Sequence, residues 1–190
     1  LGSQRVLKKT CVILDLGEGQ ELRYLDDRQR GKVYYLREEQ IPQVPRLMEQ
    51  GPDVLDGITF EDFQSRLKPF RGELKGVLTR GAFISGIGNA YADEILFASQ
   101  LSPFIKTRAL SQADLKRLYD QCPLVVEEAM GVLRQRMGEA IHVKTRDFLK
   151  VHNKGGQPCP RCGGNISQLT ANQRITSYCR ICQPGMLIRN

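Results

Sequence analysis

The apolar positions change period twice along the chain. Val12, Leu14 and Leu16 recur every second residue, as in a half-buried strand. The stretches TCVILDL, QELRYLD and KVYYL predict three short strands, joined by GEG and DDRQRG. From residue 59 to 140 the pattern becomes helical. Thr59 is placed to cap FEDFQSRL, whose Phe60, Phe63 and Leu67 share one face. Leu74, Val77 and Leu78 repeat that spacing in RGELKGVL. Asn89, a favoured N-cap residue, precedes the helix AYADEILFASQ. Ser111 and Asp114 carry a capping-box signature ahead of QADLKRLYDQC, and Pro123 is expected to break or restart that helix before LVVEEAMGVLRQRM. NISQLT and RITSY return to strand character. The chain therefore reads as α+β. Residues 1–50 form a partial β-domain, 51–150 a helical domain and 151–190 a small β-ribbon, with IPQVP as the first linker. Three strands are few for an independent sheet, so the opening segment is expected to be the tail of a larger β-domain.

Composition narrows the partners. The formal charge is +7, and residues 139–190 hold eight Lys and Arg against two acids. A basic terminal module suits a polyanion, although basic tails also serve solubility. No apolar run approaches the roughly 20 residues of a membrane span. The opening LGSQRVLKKT lacks the apolar region of a signal peptide. A cytoplasmic setting with reduced thiols is the expectation.

Six cysteines are present, four of them in CxxC pairs: Cys159 with Cys162, and Cys179 with Cys182, sixteen residues apart. Each pair closes a tight knuckle that aims two thiolates at one point, and two knuckles complete a tetrahedral sulfur site suited to Zn²⁺. Two disulfides are the competing reading, disfavoured in a reducing compartment. A redox motif is disfavoured because no βαβ pattern surrounds either pair. Four thiolates leave no open coordination position, so the ion is expected to be structural. A ribbon of about 30 residues buries too little to fold without it. Cys11 and Cys122, unpaired, read as inert buried thiols. Arg174 lies at the tip of the metal-braced hairpin, either forked onto a phosphate or simply solvated.

ISGIGNAYADEIL, residues 84–96, places Gly86 and Gly88 just before a helix start. Free N–H groups and the helix dipole make such a terminus an anion site; a plain helix-connecting turn is the alternative. LSPFIKT then turns the chain around Pro103 into the next helix, a frame that suits nucleic-acid docking.

With LRYLDDRQRG, ELKGVLTRGAFISGIGNAYADEIL, FLKVHNKGGQPCPRCGG and QRITSYCRICQ in order along residues 8–185, the chain resembles the formamidopyrimidine-DNA glycosylase / endonuclease VIII family. That resemblance implies a remnant of an N-terminal β-sandwich, a helix–two-turn–helix domain and a zinc-ribbon hairpin. It implies base-excision repair, with duplex DNA carrying a damaged or abasic site as partner; a monomer is the simplest expectation, in the cytoplasm and nucleoid-associated if bacterial. Asn89 matches the family's phosphate-binding asparagine and Arg174 its zinc-finger arginine. Lys75 matches a lysine just ahead of the helix–two-turn–helix element; a solvated helix lysine is the plainer reading. Arg28 matches the arginine that pairs with the base opposite the flipped one, and Arg30 stands where the family has a Phe wedge.

The departures bear on catalysis. The family's reaction starts from an N-terminal proline amine followed by a glutamate, with a lysine on a β-hairpin assisting; this sequence starts LGSQRV. The 190 residues alone are therefore expected to bind without cutting, as the DNA-gripping part of a bifunctional glycosylase/AP lyase. The alternative is a non-catalytic zinc protein that recognises distorted or abasic DNA. Between Met137 and His152 the chain is short, so the loop that covers an everted oxidised purine in some members is expected to be missing.

Overall fold

The computed structural model describes residues 6, 8–26, 29, 31–138, 143–171 and 173–185. These divide into two compact units: residues up to Leu47, with Val143 and Lys144, and the remainder from Met48 onward.

In the first unit, β1 (Thr10–Gly17) and β2 (Gln20–Leu25) pair antiparallel, with Gly17 opposite Gln20. The two-residue turn Glu18-Gly19 has φ of 51° and 75°, the left-handed twist that matches a right-twisted hairpin. KVYYL does not form the third strand expected from its composition: residues 31–37 carry no regular secondary structure, and Tyr35 is fully exposed. β-Propensity needs a neighbouring strand to express itself. IPQVP is not a bare linker either, because Ile41 and Pro42 fall inside a 3₁₀ helix, Glu38–Gln43. Cys11 is exposed, contrary to the buried thiol expected.

The second unit holds the core. Helix α1 (Phe60–Leu67) is capped by Thr59, whose hydroxyl accepts from the Asp62 N–H. Helices α2 (Leu74–Leu78), α3 (Asn89–Ala98) and α4 (Gln112–Arg136) follow. Phe63, Leu67, Leu74, Val77 and Leu78 pack with Phe83, Ile95, Leu96, Leu118 and Cys122 into one cluster. Burial pushes the Cys122 thiol up to about 12, as an inert core cysteine requires. Pro123 neither breaks nor restarts α4, which runs through it unbroken. A proline costs a helix interior about 3 kcal/mol. Here Leu118 and Cys122 anchor the helix in the core just before it and Ala129 is buried after it. Strands β3 (Ile166–Ala171) and β4 (Arg174–Cys179) form an antiparallel ribbon with Ala171 opposite Arg174. Helical segment and ribbon belong to the same compact unit.

Candidate nucleic-acid interface

Helix α3 is the spine of the site. Its sequence is apolar apart from Asn89, Asp93 and Glu94, and both acids are buried. Their partners explain that. The Glu94 carboxylate accepts three backbone N–H groups, from Lys150, Val151 and His152, each at 2.8 Å. Asp93 Oδ1 pairs with Lys75 Nζ at 2.7 Å, while Oδ2 accepts the Ser177 N–H at 3.1 Å and lies 2.8 Å from His152 Nδ1. One turn further, Phe97 meets Arg161, whose guanidinium sits 4.4 Å over the ring and donates to the Phe97 carbonyl at 2.9 Å. Beyond the helix, Gln183 donates to the Leu101 carbonyl and accepts from the Cys179 N–H, both at 2.9 Å. One face of α3 and its exit thus hold the whole ribbon.

The N-terminus of α3 is left open. Its N-cap is Gly88 rather than Asn89, and no side chain caps it. Asn89, the first helical residue, instead donates Nδ2–H to the Ile175 carbonyl at 2.8 Å. Its other amide hydrogen and the first-turn backbone N–H groups remain for an anion. Gly86 is required by geometry: its φ is +84°, and a Cβ there would meet Asp53 Oδ2 at 2.9 Å. Gly88 is not, with φ of −90° and no atom within 4 Å of an added Cβ.

The hairpin tip comes to this same edge. The Ile175 carbonyl that receives Asn89 also accepts from Lys75 Nζ at 2.6 Å, and Lys75 donates further to Thr176 Oγ1 at 2.9 Å. Arg174 precedes Ile175 and is exposed as the first residue of β4, not within the turn itself. Asn89 is therefore bonded to the residue that follows Arg174. Lys75 has all three of its N–H groups engaged inside the protein. Burial holds its ammonium below the usual lysine range; the Asp93 carboxylate opposes this and the nearby Arg174 charge adds to it. Arg28, Arg30 and part of the 137–152 segment lie outside the described residues.

Cys159, Cys162, Cys179 and Cys182 place their Sγ atoms within 4.8 Å of one another, with Cys162–Cys179 at 3.4 Å and Cys159–Cys182 at 3.8 Å. A tetrahedral site with metal–sulfur bonds of about 2.3 Å sets sulfurs about 3.8 Å apart, so the residues fit a metal ion. Gly163, at φ +74°, turns the chain behind the first knuckle, and the Cys159 N–H donates to the Gly164 carbonyl at 2.7 Å. Burial and the neighbouring thiols push Cys182 up to about 12, and a bound cation reverses that balance.

Reading along the chain misses Asp93, Glu94, His152 and Gln183. Two adjacent acids inside the apolar helix NAYADEILFA are the one local signal that buried partners await them.

Comparison with known proteins agrees with this geometry. Residues 51–141 match the family model for the formamidopyrimidine-DNA glycosylase H2TH domain. A formamidopyrimidine-DNA glycosylase of Desulfitobacterium hafniense is 32% identical over 187 residues, covering 95% of this chain and 68% of that protein. One from Heliobacterium modesticaldum is 32% identical over 180 residues, covering 92% and 65%. The chain thus spans about two thirds of the length of these relatives. The MutM (Fpg) protein of Thermus thermophilus superposes with a TM-score of 0.83 at 30% identity, over 94% of this chain and 70% of that one. The Lactococcus lactis Fpg in complex with DNA containing an abasic site shares the fold, with a TM-score of 0.74 at 24% identity over 87% and 63% of the two chains. On sequence, fold and cysteine geometry together, the chain belongs to the formamidopyrimidine-DNA glycosylase family.

Proposed function

We propose that the chain grips the sugar–phosphate backbone of duplex DNA at damaged or abasic sites. It does so as the DNA-holding part of a base-excision repair glycosylase/AP lyase that removes oxidised bases. The observation that carries this is the Ile175 carbonyl, held by Asn89 and Lys75 together, which sets the uncapped start of α3 beside Arg174. The helix start offers backbone N–H groups and the Asn89 amide, and Arg174 offers a fork of charged donors. Phosphates held from two sides of one nucleotide favour a kinked duplex with that base turned out. The relatives' name supports an oxidised-base substrate. Two solved structures of this fold, MutM with carbocyclic 8-oxo-G DNA and the Lactococcus protein with an abasic site, support a damaged duplex.

The four cysteines hold one Zn²⁺ in a closed site, which locks the hairpin and takes no part in chemistry. Asn89 and Arg174 contact phosphate directly, and Lys75 belongs to the same backbone grip from within. Arg28 pairs with the base opposite the flipped one, and Arg30 takes the family's wedge position. The protein acts as a monomer in the cytoplasm.

The test is fluorescence anisotropy on duplexes with and without an abasic-site analogue, across a salt series. Tighter binding to the abasic duplex is expected, with log K falling against log salt at a slope of about −4 to −5 for some five neutralised phosphates. Arg174→Ala should flatten the slope by about one. Equal affinity for both duplexes, or an unchanged slope in the variant, would contradict the reading. Borohydride with an abasic duplex should trap no covalent adduct; an adduct would show that this polypeptide cuts.

A further inference from the structure

Behind the exposed edge of the site lies a closed ionic joint. The Asp93 side chain has no exposed surface, Lys75 has 10% and His152 has 4%. Charges taken out of water persist only when paired and fully hydrogen-bonded, and each pairing here crosses between different parts of the chain. Lys75 comes from α2, Asp93 from α3, His152 from the segment before the first knuckle, and Ile175, Thr176 and Ser177 from β4. Asp93 Oδ1 takes Lys75; Oδ2 takes the Ser177 N–H and faces His152 Nδ1. Lys75 passes the connection to Ile175 and Thr176, the two residues after Arg174. Asp93 lies one helical turn after Asn89, so both face β4 from the same side of α3. Three consecutive residues of β4 are therefore fixed, directly or through Lys75, by a single carboxylate that is itself shut away from solvent.

We propose that Asp93 is a positioning residue for backbone binding: its carboxylate sets the hairpin tip against the start of α3, so that Arg174 and Asn89 meet one run of phosphates. This rests on the reading of the edge as a DNA grip. It also inverts the usual sign of an acidic side chain. A bystander carboxylate near a polyanion repels it, and neutralising that carboxylate tightens binding. Neutralising Asp93 should weaken binding instead. In Asp93→Asn an amide hydrogen confronts either the Lys75 ammonium or the Ser177 N–H, and β4 loses one of the two ties that run through residue 93.

The experiment compares Asp93→Asn, Arg174→Ala and the double variant, all zinc-loaded, on the abasic-analogue duplex. Asp93→Asn should lose about tenfold in affinity, the scale of one charge-assisted contact. The double variant should lose no more than Arg174→Ala alone, because Asp93 acts through that arginine. In the free protein, hydrogen exchange at the Ser177 amide should quicken in Asp93→Asn. Should that variant fail to fold, Lys75→Met breaks the same joint from the other side and should also show no additivity with Arg174→Ala. Unchanged or tighter binding by Asp93→Asn, or losses that add to those of Arg174→Ala, would overturn the proposal. So would a Lys75→Met loss that adds to the Arg174→Ala loss with a further slope change of about one, which marks Lys75 as a direct phosphate contact. Failure of the wild type to bind the duplex would sink the DNA reading and this proposal with it; normal wild-type binding with unchanged Ser177 exchange in Asp93→Asn would sink this proposal alone.

Discussion

Gly88 isolates the conflict between stability and binding at a single residue. It occupies the N-cap of α3 in an extended conformation, φ −90° and ψ 177°, where any residue fits. Neither backbone strain nor packing asks for glycine there. A serine at an N-cap accepts from a first-turn N–H and improves on glycine by a few tenths of a kcal/mol. On the proposed reading those same N–H groups are the ones offered to phosphate. Gly88→Ser should therefore raise the melting temperature slightly while lowering affinity for the abasic duplex roughly tenfold, the cost of one hydrogen bond to a charged group. A melting curve and an anisotropy titration on the same sample check both signs. If affinity holds while stability rises, the start of α3 is not where the phosphate sits.

Among the elements, α4 separates stability from binding. Its capping box is complete: Asp114 N–H donates to Ser111 Oγ at 3.1 Å, and Ser111 N–H donates to Asp114 Oδ2 at 2.9 Å. Burial pushes the Asp114 carboxyl up, but the Ser111 amide and hydroxyl and the Arg117 guanidinium outweigh it, holding it below the usual aspartate range. A carboxylate depressed on folding contributes its full stability above the unfolded value of about 3.9 and loses it as pH falls through the lower folded value. Ser111→Ala should cost about 1 kcal/mol at neutral pH, leave DNA affinity unchanged, and reduce the acid sensitivity below about pH 4. Urea denaturation at neutral pH and at about pH 3 measures both. This element also shows how far local patterns reach. The Thr59 and Ser111 caps and the two CxxC knuckles are legible because each is complete within four residues. Pro123 misleads because the packing that tolerates it comes from other elements, and Asn89 misleads because its partner, Ile175, is 86 residues away. Asp93 and Lys75 meet a strand 84 to 101 residues further on, and no periodicity in the chain encodes such a meeting.

At the scale of the whole molecule, burial is uneven. Among the described residues up to Leu47 none is buried, and an isolated two-stranded ribbon is marginal in water. Its amides should exchange far faster than those of α3. The second unit contains two apolar clusters of different character. The larger has its buried members between Val54 and Cys122, with Val125 and Val126 packed against it, and includes none of the four clustered cysteines. The smaller comprises Phe97, Val151, Cys159, Ile166 and Cys179, so two of its five buried members belong to the four-cysteine cluster. A cluster that small cannot repay the entropy of ordering the ribbon, about 1 to 2 kcal/mol per residue for the backbone alone. On the proposed reading a bound Zn²⁺ supplies the difference, since apparent zinc affinities of structural sites reach about 10–16 kcal/mol. Stripping the metal with a chelator should accordingly melt β3 and β4 while the helices stay folded around the larger cluster. Far-ultraviolet circular dichroism should retain most of its helical signal. DNA binding should fall to the level of weak, non-specific association, because Arg174 loses its place while the start of α3 survives. Added Zn²⁺ should restore binding without a change in helical signal. Complete unfolding on chelation would mean that the ties from Glu94, Asp93 and Gln183 make the finger part of one cooperative unit with the helices. Full binding after chelation would mean that those ties hold the hairpin without a metal.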